Sequence, residues 1–236
     1  MTTTSVQAAP AAALESARGA ETLLSSTIGR KAVMAITGVI LVVFVIGHML
    51  GNLQVYLGPA ALDAYGALLR ELLHGTGLWI VRAALLLAVG LHIWDAWSLT
   101  RAGWKARPVG YRRMQHQAST YASRTMRWSG PILALFVIYH LLHLTVGSAH
   151  PSFEEERVYH NVVAGFSVWP ASAFYVLAML ALGVHMYHGI WSMTQTVGWS
   201  HPRYDRWRRA LATSITLAVV AGNISIPVAV LIGLVR

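Results

Sequence analysis

Five windows of about 20 predominantly apolar residues recur along the chain, near 30–51, 77–100, 125–147, 168–197 and 210–234, each long enough to cross a bilayer as a helix. Between them the character changes sharply. Arg18, Arg30 and Lys31 precede the first window, Arg101, Lys105, Arg107, Arg112, Arg113, Arg124 and Arg127 fall between the second and third, and Arg203, Arg206, Arg208 and Arg209 precede the fifth. The other two connections hold Arg70 and Arg157 beside Asp63, Glu71 and Glu154 to Glu156. Basic connections mark the cytoplasmic side, so the pattern predicts an all-α integral membrane bundle of five transmembrane helices, with the N-terminus cytoplasmic and the C-terminus outside. Residues 1–29 are expected to form a cytoplasmic tail, partly helical near Leu14 to Leu24 and without the basic start and apolar centre of a cleavable signal peptide. Residues 30–236 form the membrane domain. Ala60 to Leu73 has apolar residues at helical spacing and predicts a short interfacial helix that covers the surface.

Composition agrees with this picture. Hydrophobic residues make up 56% of the 236 positions and charged ones only 11%, too apolar for an ordinary soluble domain. The formal charge of +9 sits in the connections, where it reads as topology rather than as a nucleic-acid surface. Cysteine is absent. That excludes disulfides, thiolate-held iron–sulfur clusters and covalently attached c-type haem, and leaves histidine to hold any redox centre.

Six of the eleven histidines lie inside the windows: His48 in the first, His92 in the second, His140 and His143 in the third, His185 and His188 in the fourth. At 1.5 Å per residue, His48 and His140 lie roughly 27 and 23 Å from the cytoplasmic side, whereas His92 and His185 lie at roughly 14 and 18 Å. Two levels roughly 10 Å apart result. A pair of histidines at one depth on neighbouring helices clamps a planar macrocycle from both faces, which makes bis-histidine haem b the natural occupant of each level. Four ligands split between two depths cannot surround one tetrahedral zinc ion. His140 and His143 lie three residues apart, as do His185 and His188, so either member of each pair can reach the same cavity.

The ordered set His48-Met-Leu-Gly-Asn-Leu, His92, Tyr139-His-Leu-Leu and His185-Met-Tyr-His-Gly-Ile-Trp-Ser-Met-Thr-Gln-Thr-Val-Gly198 resembles the dihaem cytochrome b membrane anchor of succinate:quinone oxidoreductases, the single-subunit type of bacterial succinate dehydrogenases and fumarate reductases. The resemblance runs from Thr27 to the end. It implies two haem b groups, a distal one on His48 and His140 and a proximal one on His92 and His185. The fourth-span choice falls on His185 because Gly189 follows it by four residues. The resemblance further implies a bacterial cytoplasmic membrane location, docking of separate flavoprotein and iron–sulfur subunits on the cytoplasmic face, and a membrane quinone partner, menaquinone in most relatives. Higher oligomers of the complex are compatible with it. The succinate chemistry itself would reside in the docked subunits. Gly183 stands where some fumarate reductases of this type carry a proton-conducting glutamate, which removes the residue on which that route depends.

Around the ligands, Arg82 is a candidate partner for a distal propionate, and Arg30, Lys31 and Arg127 for proximal propionates or a docked subunit. Asp95 is a candidate to orient a ligand ring or balance charge. Gly47, Gly51, Gly90 and Gly183 fit close approach of a macrocycle edge and close helix packing equally. Two rival readings use the same histidines: a dihaem cytochrome b of another complex, in which two helices each carry two ligands about 13 residues apart, and a haem-free transporter lined by histidines.

Overall fold

The computed structural model describes residues 26–106 and 121–236. The expected tail, apart from its last residues, lies outside them, as do Arg107, Arg112 and Arg113 of the basic connection. Among the described residues there are seven α-helices and no strand: α1 (Thr27–Asn52), α2 (Pro59–Glu71), α3 (Thr76–Lys105), α4 (Tyr121–Leu141), α5 (Val158–Ser167), α6 (Trp169–Thr196) and α7 (Asp205–Leu231). Five of these, α1, α3, α4, α6 and α7, are long and apolar enough to cross a membrane.

Local chemistry explains the boundaries. The Ser26 side chain accepts the Gly29 amide and caps α1, satisfying a donor that the helix start would orphan. Pro59 opens α2, where its missing N–H costs nothing, behind Gly58, whose φ of 95° requires glycine. The surface helix expected over 60–73 is thus present, but Leu62 is buried in the core beneath it, so it is part of the fold rather than a loose cover. Helix α5 occupies a connection whose charges, Glu154 to Arg157, suggested loop; its three valines and ten-residue length give weak helical propensity, and burial of Val162 and Phe166 holds it. Pro131 and Pro227 both sit inside continuous helices, α4 and α7.

Helix α6 is the centre of the bundle. It packs against α7, α4 and α1, while α3 leans on α1. Helices α3 and α4 meet at their basic end, where the Arg127 guanidinium lies 5.9 Å from the Trp104 ring, yet share little packing elsewhere. The four histidine-bearing helices therefore form an arc, α3–α1–α6–α4. Helices α2 and α5 close its far end with α7, around Val55, Leu62, Phe136, Phe166 and Ile226.

Three glycines are packing devices. A Cβ on Gly183 would stand 2.9 Å from Val220 Cγ2 on α7, one on Gly51 would strike the Tyr65 ring, and one on Gly222 would strike Met49. Gly47 and Gly90, by contrast, have open space beside them. Large apolar side chains such as Leu86, Leu87, Trp94, Leu135 and Trp169 point outward, as a lipid-facing surface requires.

Candidate functional site: two histidine pairs in the bundle

Each of the four helices of the arc delivers one of the predicted histidines to a partner. His92 on α3 faces His185 on α6, ring centroids 6.2 Å apart with planes at 57°. His48 on α1 faces His140 on α4, centroids 5.7 Å apart with planes at 90°. The first, inner pair lies nearer the basic end; the second, outer pair lies nearer the far end, which α2 and α5 cap.

What holds the inner pair comes from the facing helices. Thr37 on α1 lies 3.1 Å from His92 Nδ1, and Ser129 on α4 lies 3.2 Å from His185 Nδ1. The Thr37 hydroxyl also donates to the carbonyls of Val33 and Met34, at 2.9 and 3.1 Å. Its one proton is committed there, so His92 Nδ1–H donates to Thr37 and the Nε2 lone pair of His92 is left for another partner.

The outer pair is built from aromatic side chains. Phe44 stacks on His48 at 5.4 Å, and Phe136 lies 5.7 Å from His140. The buried Tyr175 hydroxyl on α6 reaches two imidazoles, His140 Nδ1 at 3.2 Å and His143 Nδ1 at 3.1 Å. A π-turn over Leu142–Val146 follows α4 directly. His143 falls in it and is only 1% exposed, packed among Tyr139, His150, Phe166 and Tyr175. Of the two third-span histidines, His140 is the one beside His48. In the fourth span His185 meets His92, whereas His188 lies by Trp191 and its buried Nδ1 has no hydrogen-bond partner.

The levels are further apart than the chain-depth estimate. Thr37 marks the inner level and His48 the outer level on α1; Ser129 and His140 do the same on α4. Both spacings are eleven residues, three helical turns on one face, or about 16 Å rather than roughly 10 Å. The depth estimate measured from span ends, and those ends do not start level. The repeated eleven-residue step from hydroxyl to histidine is also the signal that would have exposed Thr37 and Ser129; Tyr175 carries no comparable mark.

A ligating imidazole nitrogen sits about 2.0 Å from its metal, so two rings sharing one ion from opposite sides place their centroids on the order of 6 Å apart. Both pairs match that spacing, and no hydrogen bond joins the two rings of either. Among the described residues no three His, Asp or Glu side chains gather to hold an ion. Two nitrogens per level suit an ion whose equatorial positions are already filled by a flat macrocycle, which is the donor set of bis-histidine haem. The residues fit that group.

The other predicted residues are less uniform. Arg82 lies ten residues from His92 towards the outer level, half-buried, its guanidinium 4.9 Å from the Trp79 ring. Arg30, two turns below Thr37 on the same face of α1, is half-buried, whereas Lys31 is exposed. Asp95 is buried, one turn beyond His92. Arg203, Arg206 and Arg209 are exposed at the basic end, but Arg208 is not part of that surface: it is 4% exposed, bonded to Asp205 at 2.8 Å and to Thr194 at 3.0 Å. An arginine in the first turn of an apolar helix looks like an interface charge in sequence; its inward direction depends on Asp205 and Thr194.

Neither the curated proteins nor the solved structures contain a match to this chain. Residues 105–223, half of the chain and including α4, α5 and α6, match the family described as succinate dehydrogenase/fumarate reductase transmembrane subunit. With five helices able to cross a membrane and four histidines converging between them, the chain belongs to the succinate dehydrogenase/fumarate reductase transmembrane subunit family.

Proposed function

We propose that this membrane subunit carries two b-type haems, one on His48 and His140 and one on His92 and His185, and conducts electrons between an iron–sulfur subunit and membrane quinone. The observation that carries the proposal is the pairing of four histidines from four helices at two levels, each pair spaced for one shared metal ion. Family membership implies association with the other subunits of the complex. A haem held at each level by the two imidazoles would supply a one-electron carrier, and two nitrogen ligands from the protein would keep it low-spin.

The chain's part is to hold and shield. Thr37 and Ser129 orient the inner imidazoles, and the apolar lining excludes water from both levels. Arg82 at the outer level and Arg30 below the inner one are suited to neutralise propionates, cations otherwise costly at such positions. Lys31, with exposed Arg101, Arg124, Arg127, Arg203, Arg206 and Arg209, gives the basic end a surface that attracts an acidic partner. That end faces the cytoplasm by the distribution of basic residues and receives the iron–sulfur subunit, which in turn carries the flavoprotein. The inner pair is then the proximal one. The cysteine-free chain provides no iron–sulfur ligands, so purified alone it should not oxidise succinate.

The test is the purified complex. Succinate should reduce b-type absorbance bands, and added quinone should reoxidise them; a complex without those bands would contradict the proposal. Cross-links from the iron–sulfur subunit should reach the basic end. Cross-links to Asp63–Glu71 or Glu154–Arg157 instead would invert the orientation and exchange the proximal and distal assignments.

A further inference from the structure

His140 on α4 and His143 in the π-turn after it share one hydroxyl, and the proton count at that hydroxyl has a consequence for which of them can bind a metal. Tyr175 is 6% exposed, and its phenol oxygen lies 3.2 Å from His140 Nδ1 and 3.1 Å from His143 Nδ1. A phenol has one proton to give and lone pairs with which to accept. If Tyr175 donates to one imidazole, the other is served by donating its own Nδ1–H to the phenol oxygen. The imidazole that donates from Nδ1 keeps a free Nε2 lone pair; the one that accepts at Nδ1 carries its proton on Nε2 and has no lone pair left for a metal. With one contact made by the phenol's proton and the other by an imidazole Nδ1–H, one histidine is a competent Nε2 ligand and its neighbour is not.

Surroundings decide which is which. His140 stands 5.7 Å from His48 across the site. His143 is turned into the protein by the π-turn, and its Nε2 edge lies against Gly165 and His150: a Cβ on Gly165 would stand 2.9 Å from His143 Nε2 and 2.9 Å from His150 Nε2. The His150 ring is itself fixed, with Nε2–H donating to the Asn161 carbonyl at 2.8 Å and Nδ1 accepting the Ser152 amide at 3.0 Å. His143 therefore has no opening through which its Nε2 meets a macrocycle.

We infer that Tyr175 is a positioning residue that selects His140 over His143 as the outer ligand: it accepts the His140 Nδ1–H, which frees His140 Nε2, and donates to His143 Nδ1, which retires that imidazole as a ligand. This rests on the haem-bearing reading above. Thr37 plays the one-sided version of the role at the inner level, where its own proton is spent on backbone carbonyls. Second partners of this kind fix the ring orientation and basicity of ligating histidines.

The purified complex tests the assignment through low-spin ferric electron paramagnetic resonance and redox titration, with haem counted in each sample. Tyr175→Phe is expected to keep two haems while shifting the g values and midpoint potential of one, and Thr37→Val to shift only those of the other. His143→Asn, whose amide oxygen can still accept the Tyr175 proton, should keep both haems with both signals near wild type, whereas His140→Asn should lose one. Unchanged signals in Tyr175→Phe, or loss of a haem in His143→Asn with retention in His140→Asn, would overturn the inference. The His143→Asn and His140→Asn comparison decides the matter even if Tyr175→Phe fails to accumulate. Wild-type protein without haem would instead defeat the underlying reading, a result distinguishable from either.

Discussion

The inner and outer histidine pairs have nearly the same ring spacing, 6.2 and 5.7 Å, but are held by different means. At the inner pair each imidazole is met by a small hydroxyl from the opposite helix, Thr37 or Ser129. At the outer pair the surroundings are aromatic, His140 shares the Tyr175 hydroxyl with a second histidine, and His48 is contacted by the Phe44 ring. Equal spacing over unlike supports indicates that the quantity being conserved is the gap between the rings. The supports set something else, the orientation and hydrogen bonding of each ligand, so the two sites are expected to differ in redox and spectroscopic behaviour while sharing a coordination type.

The largest effect that would break this comparison is loss of a ligand. His92→Ala and His185→Ala should each remove the inner haem alone, and His48→Ala and His140→Ala the outer one alone, lowering haem content from two to one per chain with the second spectrum intact. A variant that lost both would mean that the levels are not independent.

A smaller, stability-level effect separates the two bystander histidines. His143→Ala leaves a cavity among Tyr139, Phe166 and Tyr175 and strips one partner from Tyr175, costing on the order of 2–4 kcal/mol, visible as a lower Tm in detergent with both haems retained. His188→Ala should cost far less, since its buried Nδ1 makes no hydrogen bond that the substitution would break.

Much of this was legible in the sequence, for specific reasons. The five spans follow from apolar length alone; alternating direction and depth put His48 level with the third span's histidines and His92 level with the fourth span's, and the choice of His140 over His143 and of His185 over His188 comes from the family resemblance. The short helix α5 was not legible because its stability comes from Val162 and Phe166 packing against the rest of the capped end, not from a local pattern. The inward turn of Arg208 and the roles of Thr37, Ser129 and Tyr175 depend on contacts between helices far apart in the chain. The glycines that looked alike divide: Gly51 and Gly183 are packing sites, while Gly47 and Gly90 border open space.

That division gives the smallest expected effects. Gly51→Ala should cost about 1–3 kcal/mol by overpacking against Tyr65, seen as reduced thermal stability. Gly90→Ala should be neutral or stabilise its helix by up to about 1 kcal/mol, Gly90 lying away from the His92 face. Gly47→Ala meets no protein atom, so a change in the outer haem's spectrum, with Tm unchanged, would identify Gly47 as a point of contact with the macrocycle.

The most direct test of the central claim is the number of haems per chain. A pyridine haemochrome assay on the purified complex, normalised to this subunit by quantitative amino-acid analysis, should give two b-type haems per chain, both low-spin in the reduced-minus-oxidised spectrum. One haem or none would contradict the account.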